Sequence, residues 1–415
     1  MQEVVKYLPR LLDNVLEERL EHHPAILLVG PRATGKTTTA ARLARTELRL
    51  DDPGQAVAVR ADPAAAIRHL EEPILIDEWQ IVPEILSAVK RAVDTDPRPG
   101  RFLITGSVRG DLASPTWPGT GRLIRVPMFG LTVGEQEGRL PPKPLMDRLA
   151  EGDLQALTSP PETPDLRGYA ELALRGGFPA PVLCLPENER TIWLDSYIEH
   201  LLTRDAMEIA GRRDPSKMRA FVEAYALNTA GVVERSTIFT SAGVAKATGE
   251  AYERLLSSLF VVEHLPAWWS NRLKRLVRGP KRMMVDSSLA LAALRMDLRG
   301  LMSDGNLLGS ILETFVVAQL RAEQARCAFR PRLFHLRQEQ GRREIDLLVE
   351  YGGGRVFGIE VKATASPTAH EARHLSWLRD ILKERFIGGA VLHTGPRSFF
   401  LDDRVIAAPI STLWA

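Results

Sequence analysis

Short apolar runs alternate with amphipathic segments along the first third of the chain, in the rhythm of a parallel α/β sheet. The runs 25–29, 73–77 and 101–107 are rich in Ile, Leu and Val. Strands that are buried on both faces show continuous apolar runs of this kind, and the segments between them have the period of helices. The pattern predicts an N-terminal domain built on a parallel sheet.

The middle of the chain has a helical pattern followed by a short hairpin pattern. Residues 137–165 are rich in proline and charge and predict a linker around one short helix. Two helices followed by two short strands have the order of a winged helix. In that motif we place the predicted helices 237–242 and 245–259 and the predicted strands 260–264 and 282–286. Two further predicted helices, 188–210 and 217–230, precede it.

The last hundred residues predict a second sheet. A helix carrying Glu313 precedes a predicted hairpin (333–336 and 344–349), a strand at 356–362, a helix at 369–383 and a strand at 390–393. The fold class is therefore α/β, with a P-loop (AAA+/ASCE) parallel-sheet domain, a helical and winged-helix middle, and a C-terminal restriction-endonuclease-like α/β domain. We place these parts at 1–136 (ATPase core), 137–215 (linker and helical region), 216–300 (winged-helix-like) and 301–415 (nuclease-like).

Composition is that of an ordinary globular protein. The chain has 415 residues, of which 45% are hydrophobic and 26% charged, and it has two cysteines. Two cysteines are too few for a disulfide framework or a cysteine-rich zinc site. No apolar run approaches the length of a membrane helix, and the N-terminus has no signal-peptide pattern. We expect a cytoplasmic protein with no membrane partner.

Charge is uneven along the chain, although the net charge is only +2. Residues 272–282 contain six Lys or Arg and no acid, and residues 321–343 are rich in arginine. Positive runs attract polyanions, although a solvated face is the commoner explanation for a single run. We expect Arg272, Lys274, Arg275 and Arg278 to meet DNA phosphates, and the Trp268–Trp269 pair either to stack on a base or to lie in the core.

The first motif with a definite chemistry is GPRATGKT, between a predicted strand and a predicted helix. This is the complete P-loop pattern in the context that supports it. The glycines let backbone N–H groups point at phosphate oxygens, Lys36 reaches the β- and γ-phosphates, and Thr37 ligates Mg²⁺. The predicted ATP-binding residues of the loop are Gly30, Pro31, Arg32, Ala33, Thr34, Gly35, Lys36, Thr37 and Thr38.

Two carboxylates follow the second apolar run. Asp77 is predicted to bind Mg²⁺, directly or through water, and Glu78 to activate the attacking water. Thr105 or Ser107, at the end of the third run, is predicted to sense the γ-phosphate, with a simple strand cap as the alternative. Arg122 is a candidate for a γ-phosphate contact in cis or in a neighbouring subunit, and Arg204 is a second candidate for the trans role.

A second constellation lies near the C-terminus. Glu360 and Lys362 alternate on one strand and so project to the same face. With Asp346 on the adjacent strand and Glu313 on a helix, they form an oxygen cage suited to Mg²⁺ or Mn²⁺. Metal-bound water and Lys362 would then serve phosphodiester cleavage. An acid on a helix, then an Asp on a strand, then Glu-x-Lys on the next strand is the signature of the PD-(D/E)xK nuclease fold. The alternative is an inherited cage that binds DNA or a partner without cutting.

With these residues in view, the chain resembles the bacterial and archaeal AAA-type ATPases (AAA_14) that carry a C-terminal domain called DUF4143. The supporting stretches are GPRATGKT, ILIDEWQ, FLITGS, GGFP, LTRD, LPAWWSN, MMVDSSL, EIDLLVE and IEVKA. The resemblance implies an ATPase core, a winged-helix middle, a nuclease-like end and a homo-oligomer. The end also resembles archaeal Holliday-junction resolvases, which implies branched DNA as a substrate.

Three functions remain open from the sequence. The first is an ATP-dependent enzyme that processes DNA, in which the rear cage (Glu313, Asp346, Glu360 and Lys362) binds or cuts the strand. The second is a nucleotide-switched regulatory ATPase whose C-terminal domain only binds. The third is a defence-type nuclease gated by ATP.

Overall fold

The computed structural model describes residues 7–107, 120–205, 214–269, 279–338 and 341–415. The chain divides into two compact units, one of Met1–Leu131 with Leu256–Val261 and one of Thr132–Leu255 with Val262–Ala415. Each unit is described by itself. The division of the sequence into four parts stays a prediction.

The first unit contains a five-stranded sheet in the order β2-β3-β4-β1-β5, in which every neighbouring pair is parallel. Buried aliphatic side chains of β1, β3 and β4 pack with those of the helix that precedes β4, and so form the core. Because the sheet is parallel, the carboxyl ends of the strands meet at one edge. The strands are β1 (Ala25–Val29), β2 (Thr46–Arg49), β3 (Ile74–Asp77), β4 (Phe102–Gly106) and β5 (Ile124–Pro127); the helices are α1 (Asp13–Leu20), α2 (Lys36–Ala41), α3 (Pro53–Ala61), α4 (Pro63–Ile67) and α5 (Ile85–Thr95).

The second unit begins with helices. Several begin at an aspartate whose side chain accepts backbone N–H groups of the first turn, which satisfies donors that a helix leaves unpaired. The helices are α6 (Val133–Gln136), α7 (Leu145–Ala150), α8 (Leu166–Arg175), α9 (Pro179–Cys184), α10 (Glu187–His200), α11 (Pro215–Leu227), α12 (Arg235–Ser241), α13 (Lys246–Ser258), α14 (Ser287–Ala293), α15 (Leu298–Ser303) and α16 (Gly305–Glu323).

A two-stranded antiparallel hairpin, β6 (Val262–Leu265) and β7 (Lys281–Met284), follows α13. This order of helices and strands is the one from which a winged helix was predicted. The last residues of α13, from Leu256 onward, belong to the first unit. Beyond the strand β6, Ala267 bridges His335, and Trp268 N–H donates to His335 O at 2.6 Å. The segment after β6 is therefore paired to a strand of the C-terminal sheet.

The C-terminal sheet has six strands in the order β12-β13-β11-β10-β9-β8. The pairs β10–β11 and β11–β13 are parallel, and the other three pairs are antiparallel. One long helix packs its apolar side chains on this sheet. The elements are β8 (Arg332–Gln338), β9 (Arg343–Glu350), β10 (Val356–Lys362), α17 (Ala369–Leu382), β11 (Phe386–His393), β12 (Phe399–Asp402) and β13 (Val405–Pro409).

The fold class predicted from the sequence is confirmed as a mixed α/β chain with a parallel N-terminal sheet, a helical middle and a C-terminal sheet domain. The described part of the predicted helix 188–210 is α10 followed by a π-helical turn, Leu201–Asp205, and residues 206–210 lie outside the described ranges. Within the described ranges, no helix is long and apolar enough to cross a bilayer.

Residues 137–165 contain one short α-helix, α7, as predicted, but the stretch around it is not the linker that its prolines predict. Leu145 N–H donates to the buried Glu323 carboxylate, and Tyr351 OH donates to Met146 O at 2.7 Å. Further along, Ser159 and Ser398 hydrogen-bond to each other at 3.0 Å. Polar side chains of the C-terminal domain thus hold this stretch in place, and it is packed structure.

Candidate functional site

The P-loop connects β1 to α2. Two glycines are required by the backbone: a Cβ on Gly30 would lie 1.9 Å from Met128 O, and Gly35 has φ of 91°. Ala33, between them, also has a positive φ, of 58°. Such a turn leaves backbone N–H groups free to face an anion beside the helix N-terminus.

Lys36 begins α2 and is 5% exposed. Its ammonium donates to Gly30 O at 3.1 Å and to Pro31 O at 2.7 Å. Burial lowers the pKa of Lys36 to about 8, while the nearby Glu78 and Asp77 carboxylates act in the opposite direction. An arriving phosphate would restore full charge to this ammonium and would compete with the two carbonyls for it.

A buried arginine that the sequence did not single out supports the loop. Arg10 is 7% exposed, and its guanidinium donates to Thr34 O at 2.8 Å and to Phe129 O at 2.9 Å. It therefore ties the P-loop to the segment after β5. Arg10 lies outside every motif found in the sequence, so sequence reasoning did not predict its role.

Asp77, at the end of β3, receives two hydroxyl donors on one oxygen. Thr37 Oγ1 lies 2.7 Å from Asp77 Oδ1, and Thr105 Oγ1 donates to the same oxygen. Asp77 and Thr105 are 2% and 0% exposed. Thr105, the last residue but one of β4, therefore orients the carboxylate.

Glu78 follows with φ of 54°, which turns its side chain away from the line of the strand. Ser107 Oγ donates to Glu78 Oε1 at 3.2 Å, and Gln80 Nε2 donates to Glu78 Oε2. Each oxygen of the predicted base thus has its own donor. Gln80 was not predicted; the only signal was its place two residues after Glu78 in ILIDEWQ.

The other predicted nucleotide contacts are spread more widely. Pro31 and Thr34 are buried, whereas Ala33 and Thr38 are exposed and Arg32 is half-buried. Arg122 pairs with Asp94 at 2.7 Å on the surface and so is not gathered with the loop within its own chain. The side chain of Arg204 lies outside the described residues.

The donors of the front site fit magnesium. A hydroxyl and a carboxylate are hard oxygen ligands, and Mg²⁺ is usually held by one or two such protein groups together with phosphate oxygens and water. Thr37 and Asp77 lie in contact beside the P-loop, which is the arrangement that this coordination needs.

The four C-terminal residues converge as the strand pattern predicted. Lys362 Nζ lies 2.6 Å from Glu360 Oε2 and 3.6 Å from Asp346 Oδ2. Val361 N–H donates to Asp346 Oδ2 at 2.9 Å, which fixes the carboxylate against β10. Glu313 on α16 faces the same centre and is 8% exposed.

A fifth side chain, Lys281 of β7, lies inside this centre. Its ammonium is 2.6 Å from Glu313 Oε1 and 3.6 Å from Asp346 Oδ1, and the residue is 1% exposed. Sequence reasoning missed it because Lys281 was counted as part of a basic surface run. Its neighbour Arg282 is also buried, against Glu253 at 3.2 Å. Neither cation is available to DNA, although both were counted in the basic run 272–282.

The charges of the rear centre reinforce this arrangement. Burial opposes the charge on Lys281, but the Glu313 and Asp346 carboxylates outweigh it and raise the pKa of the ammonium. Burial likewise opposes ionisation of Asp346, but Lys281 and Lys362 hold its pKa below the ordinary value. Burial, with the Asp346 charge, raises the pKa of Glu360 well above its ordinary value. Lys281 thus remains a cation beside ionised Asp346.

The rear centre does not fit the predicted metal. In the parts of the chain that the structure describes, no three His, Cys, Asp or Glu side chains are arranged to hold a metal ion. An ammonium between Glu313 and Asp346 takes up the oxygens that a divalent ion would need. The prediction of Glu313, Asp346 and Glu360 as metal ligands, and of Glu360, Lys362 and Asp346 as a metal-dependent catalytic set, therefore finds no support in the geometry.

The tryptophan pair is also corrected in part. Trp268 is 3% exposed, packs in the C-terminal core and donates to Glu350 Oε1 at 3.0 Å. It is a core residue, which was the alternative to base stacking. The predicted DNA contacts Arg272, Lys274, Arg275 and Arg278 lie outside the described residues.

Three family models match successive parts of the chain. One described as an AAA domain matches residues 22–137, and two described as domains of unknown function, DUF8612 and DUF4143, match 166–299 and 308–413. The uncharacterized proteins Rv2008c of Mycobacterium tuberculosis and Mb2031c of Mycobacterium bovis are each 30% identical over 398 residues, covering 95% of this chain and 82% of theirs. A Walker-type ATPase of Pyrococcus abyssi aligns with 68% of this chain and 94% of its own at 15% identity and a TM-score of 0.41.

Proposed function

This chain is a P-loop ATPase of the AAA_14 and DUF4143 family, and we propose that it hydrolyses ATP with Glu78 as the general base and uses the cycle to act on DNA through its C-terminal domain. The observation that carries the hydrolytic part is the arrangement at the end of β3. There, Asp77 contacts Thr37 of the P-loop while Glu78 is held by two separate donors.

The roles of the front residues follow from their positions. The P-loop backbone and Lys36 bind the phosphates, and Thr37 and Asp77 would hold Mg²⁺, which supplies charge neutralisation on the β- and γ-phosphates when bound. Glu78 accepts the proton of the attacking water. Gln80 and Ser107 keep the Glu78 carboxylate in one orientation, so that its basic oxygen faces the water rather than bulk solvent.

Support for DNA as the macromolecular partner comes from cations beside the rear centre. Burial lowers the pKa of His374, and the charges of Arg373, Arg343 and Lys362 act in the same direction. Arg373 is exposed, and the guanidinium of Arg343 stacks 4.9 Å from the ring centre of Trp377. The two arginines, Arg343 and Arg373, here called the cation rim, suit phosphate contacts that position a strand without reading its sequence.

Binding is favoured over cutting for the C-terminal domain. Phosphodiester cleavage in a carboxylate cage relies on a divalent ion to activate water, and Lys281 occupies that cage. We therefore propose that DNA is held and moved or remodelled, branched DNA included, and that cleavage is not part of the activity. The cytoplasm is the proposed location, as ATP and DNA are both present there.

A homo-oligomer is proposed as the working form. Arg122 is exposed at 40% and engages Asp94 of its own chain, so a neighbouring copy is the route by which an arginine would complete the γ-phosphate site. Light scattering with and without ATP would test the assembly. A monomer under both conditions would remove the trans arginine from the scheme.

The experiment for the whole proposal is an ATPase measurement with and without duplex, single-stranded and four-way DNA, together with fluorescence anisotropy on the same DNAs. We expect stimulation of hydrolysis and salt-dependent binding. The double variant Arg343→Ala/Arg373→Ala should weaken binding and flatten the salt dependence. Arg167→Ala is the matched control, because Arg167 is exposed on α8 and pairs only locally with Glu171.

The outcomes separate the two functions that remain. Hydrolysis without any DNA affinity at moderate salt would leave a nucleotide-switched regulatory ATPase, in which the C-terminal domain binds a protein. If the variant Arg343→Ala/Arg373→Ala binds DNA as tightly as the parent protein, the DNA site lies elsewhere on the chain.

A further inference from the structure

The strand β7 places two adjacent cations in two separate buried sites. Successive side chains of a strand point to opposite faces, so Lys281 enters the rear centre while Arg282 points the other way. Arg282 pairs with Glu253 on α13 at 3.2 Å, and Glu253 also pairs with Arg235 at 2.9 Å. One short strand thus joins the helical part of the second unit to the C-terminal sheet through opposite faces.

The hairpin is held to that sheet at further points. His335 N–H donates to Pro266 O at 3.0 Å, and Trp268 N–H returns a bond to His335 O. The indole of Trp268 lies in the C-terminal core. The segment after β6 is therefore hydrogen-bonded to the C-terminal sheet, and β7 pairs with β6 along its whole length, which places Lys281 beside the carboxylates.

We propose that the Lys281 ammonium is the resident cation of the rear carboxylate cage, in the place where a divalent metal would bind, and that the cage serves to dock the β6–β7 hairpin instead of cutting phosphodiesters. This goes beyond the proposed ATPase function and does not depend on it.

Geometry makes the ammonium and a metal mutually exclusive. Lys281 Nζ lies within 3.6 Å of oxygens from both Glu313 and Asp346, and it also lies 3.4 Å from the backbone oxygen of Asp346. Mg²⁺ and Mn²⁺ need six oxygens close around the ion. A divalent ion between the same carboxylates would meet the ammonium at contact distance, where like charges repel strongly in a buried site.

Both lysines of the cage are already engaged in ion pairs with its carboxyl groups. Three carboxyl groups, Glu313, Asp346 and Glu360, face two lysines, Lys281 and Lys362, and Lys362 pairs with Glu360 at 2.6 Å. Buried charges are tolerated only when they are paired. Removing the Lys281 ammonium would open the space between Glu313 and Asp346 and take away the cation that excludes a divalent ion from it.

The test uses the full chain without nucleotide in a Thr37→Ala/Asp77→Asn background, which removes the front metal ligands. Mn²⁺ is the probe, and bound and free ion are measured by electron paramagnetic resonance. We expect no Mn²⁺ site in the background protein. Adding Lys281→Met, which keeps the chain length but not the charge, should raise Mn²⁺ affinity roughly tenfold or more, and Asp346→Asn should abolish the gain. Lys217→Met, at an exposed position, is the control.

Two results of the Mn²⁺ measurement would overturn the proposal. One is a Mn²⁺ site in the background protein that disappears with Asp346→Asn, because the cage would then bind metal with Lys281 present. The other is a folded Lys281→Met variant with no gain in affinity. Circular dichroism checks folding, and if Lys281→Met does not fold, the first measurement decides alone. Cleavage of labelled duplex DNA in Mn²⁺ by the protein with Lys281 intact would also contradict the proposal.

Discussion

The hydroxyl of Thr37 lies 2.7 Å from Oδ1 of Asp77, so the P-loop and the end of β3 meet at a single carboxylate oxygen. Forty residues separate the two in sequence. The contact places a loop ligand and a strand ligand of the expected magnesium site within one small region. We therefore expect the charge of Asp77 to determine how hydrolysis depends on Mg²⁺.

Asp77→Asn keeps the size of the side chain and one oxygen but removes the charge. We expect ATP hydrolysis to fall by about 100-fold or more, because the phosphate charge is neutralised through this metal site. A Mg²⁺ titration of the rate is the measurement. Asp51→Asn, at an exposed aspartate of the same unit, should leave the titration unchanged. An unaltered rate for Asp77→Asn would place the metal elsewhere.

Glu78→Gln tests the general base. The amide cannot take the proton of the attacking water, so kcat should fall on the order of 100- to 10,000-fold while ATP still binds. Rapid-quench hydrolysis and binding of a fluorescent ATP analogue report the two effects separately. Glu84→Gln, an exposed acid nearby in sequence, is the control. Loss of binding with kcat preserved would assign Glu78 to the nucleotide pocket instead.

Gln80→Ala tests whether the donor to Glu78 Oε2 positions the base. A base that is free to rotate is misplaced for part of the time, so kcat should fall by about 10- to 100-fold with the KM for ATP nearly constant. Ser107→Ala should have a smaller effect in the same direction, since its bond to Oε1 is longer, at 3.2 Å. Gln55→Ala on α3 is the matched control. A rise in KM at constant kcat would argue against positioning.

The substitution Glu323→Gln should change how the free energy of unfolding depends on pH. Burial raises the pKa of Glu323 to about 7, although it accepts the N–H of Leu145. A raised carboxyl pKa contributes stability that is fully present below the ordinary value near 4.5 and is lost as pH rises through 7. The amide stays neutral and still accepts the bond, so the variant should be more stable than the parent at pH 8 by on the order of 2 kcal/mol and nearly equal at pH 4.5.

Urea unfolding at both pH values is the measurement for Glu323. Glu171→Gln, at an exposed position on α8, should show no such pH-dependent difference. Equal stability of parent and Glu323→Gln at pH 8 would mean that the carboxylate is solvated when ionised.

The front site was accessible to sequence reasoning because its parts are local. The P-loop is eight consecutive residues, and the acids follow directly on a recognisable strand. The residues that hold this site in place could not be predicted from the sequence. Arg10 donates to Phe129, which lies 119 positions further along the chain, and no sequence pattern predicts that contact.

The rear centre shows the same limit in a sharper form. Strand alternation put Glu360 and Lys362 on one face, and these do converge with Asp346 and Glu313. Lys281 was lost because charge runs are interpreted as surface, whereas its burial depends on how β7 docks on elements 32 and 65 residues further along the chain. A cluster of acids therefore predicts a centre but not which cation fills it.

Proline content misled in a similar way between residues 137 and 165. Prolines do interrupt regular elements there, but burial is decided by partners such as Glu323 and Tyr351, which lie about two hundred residues away. Local composition determines the backbone conformations that are available, and only the tertiary contacts determine whether the stretch is packed.

The position of Arg10 has a practical consequence for protein production. A recombinant fragment that begins at residue 22, where the AAA match begins, would contain the entire phosphate loop but not the guanidinium that bridges Thr34 and Phe129. The carbonyls of Thr34 and Phe129 would lose the hydrogen bonds from Arg10, and the P-loop would lose its connection to the segment after β5. An excised ATPase core should therefore start upstream of Arg10 if it is to behave like the intact protein.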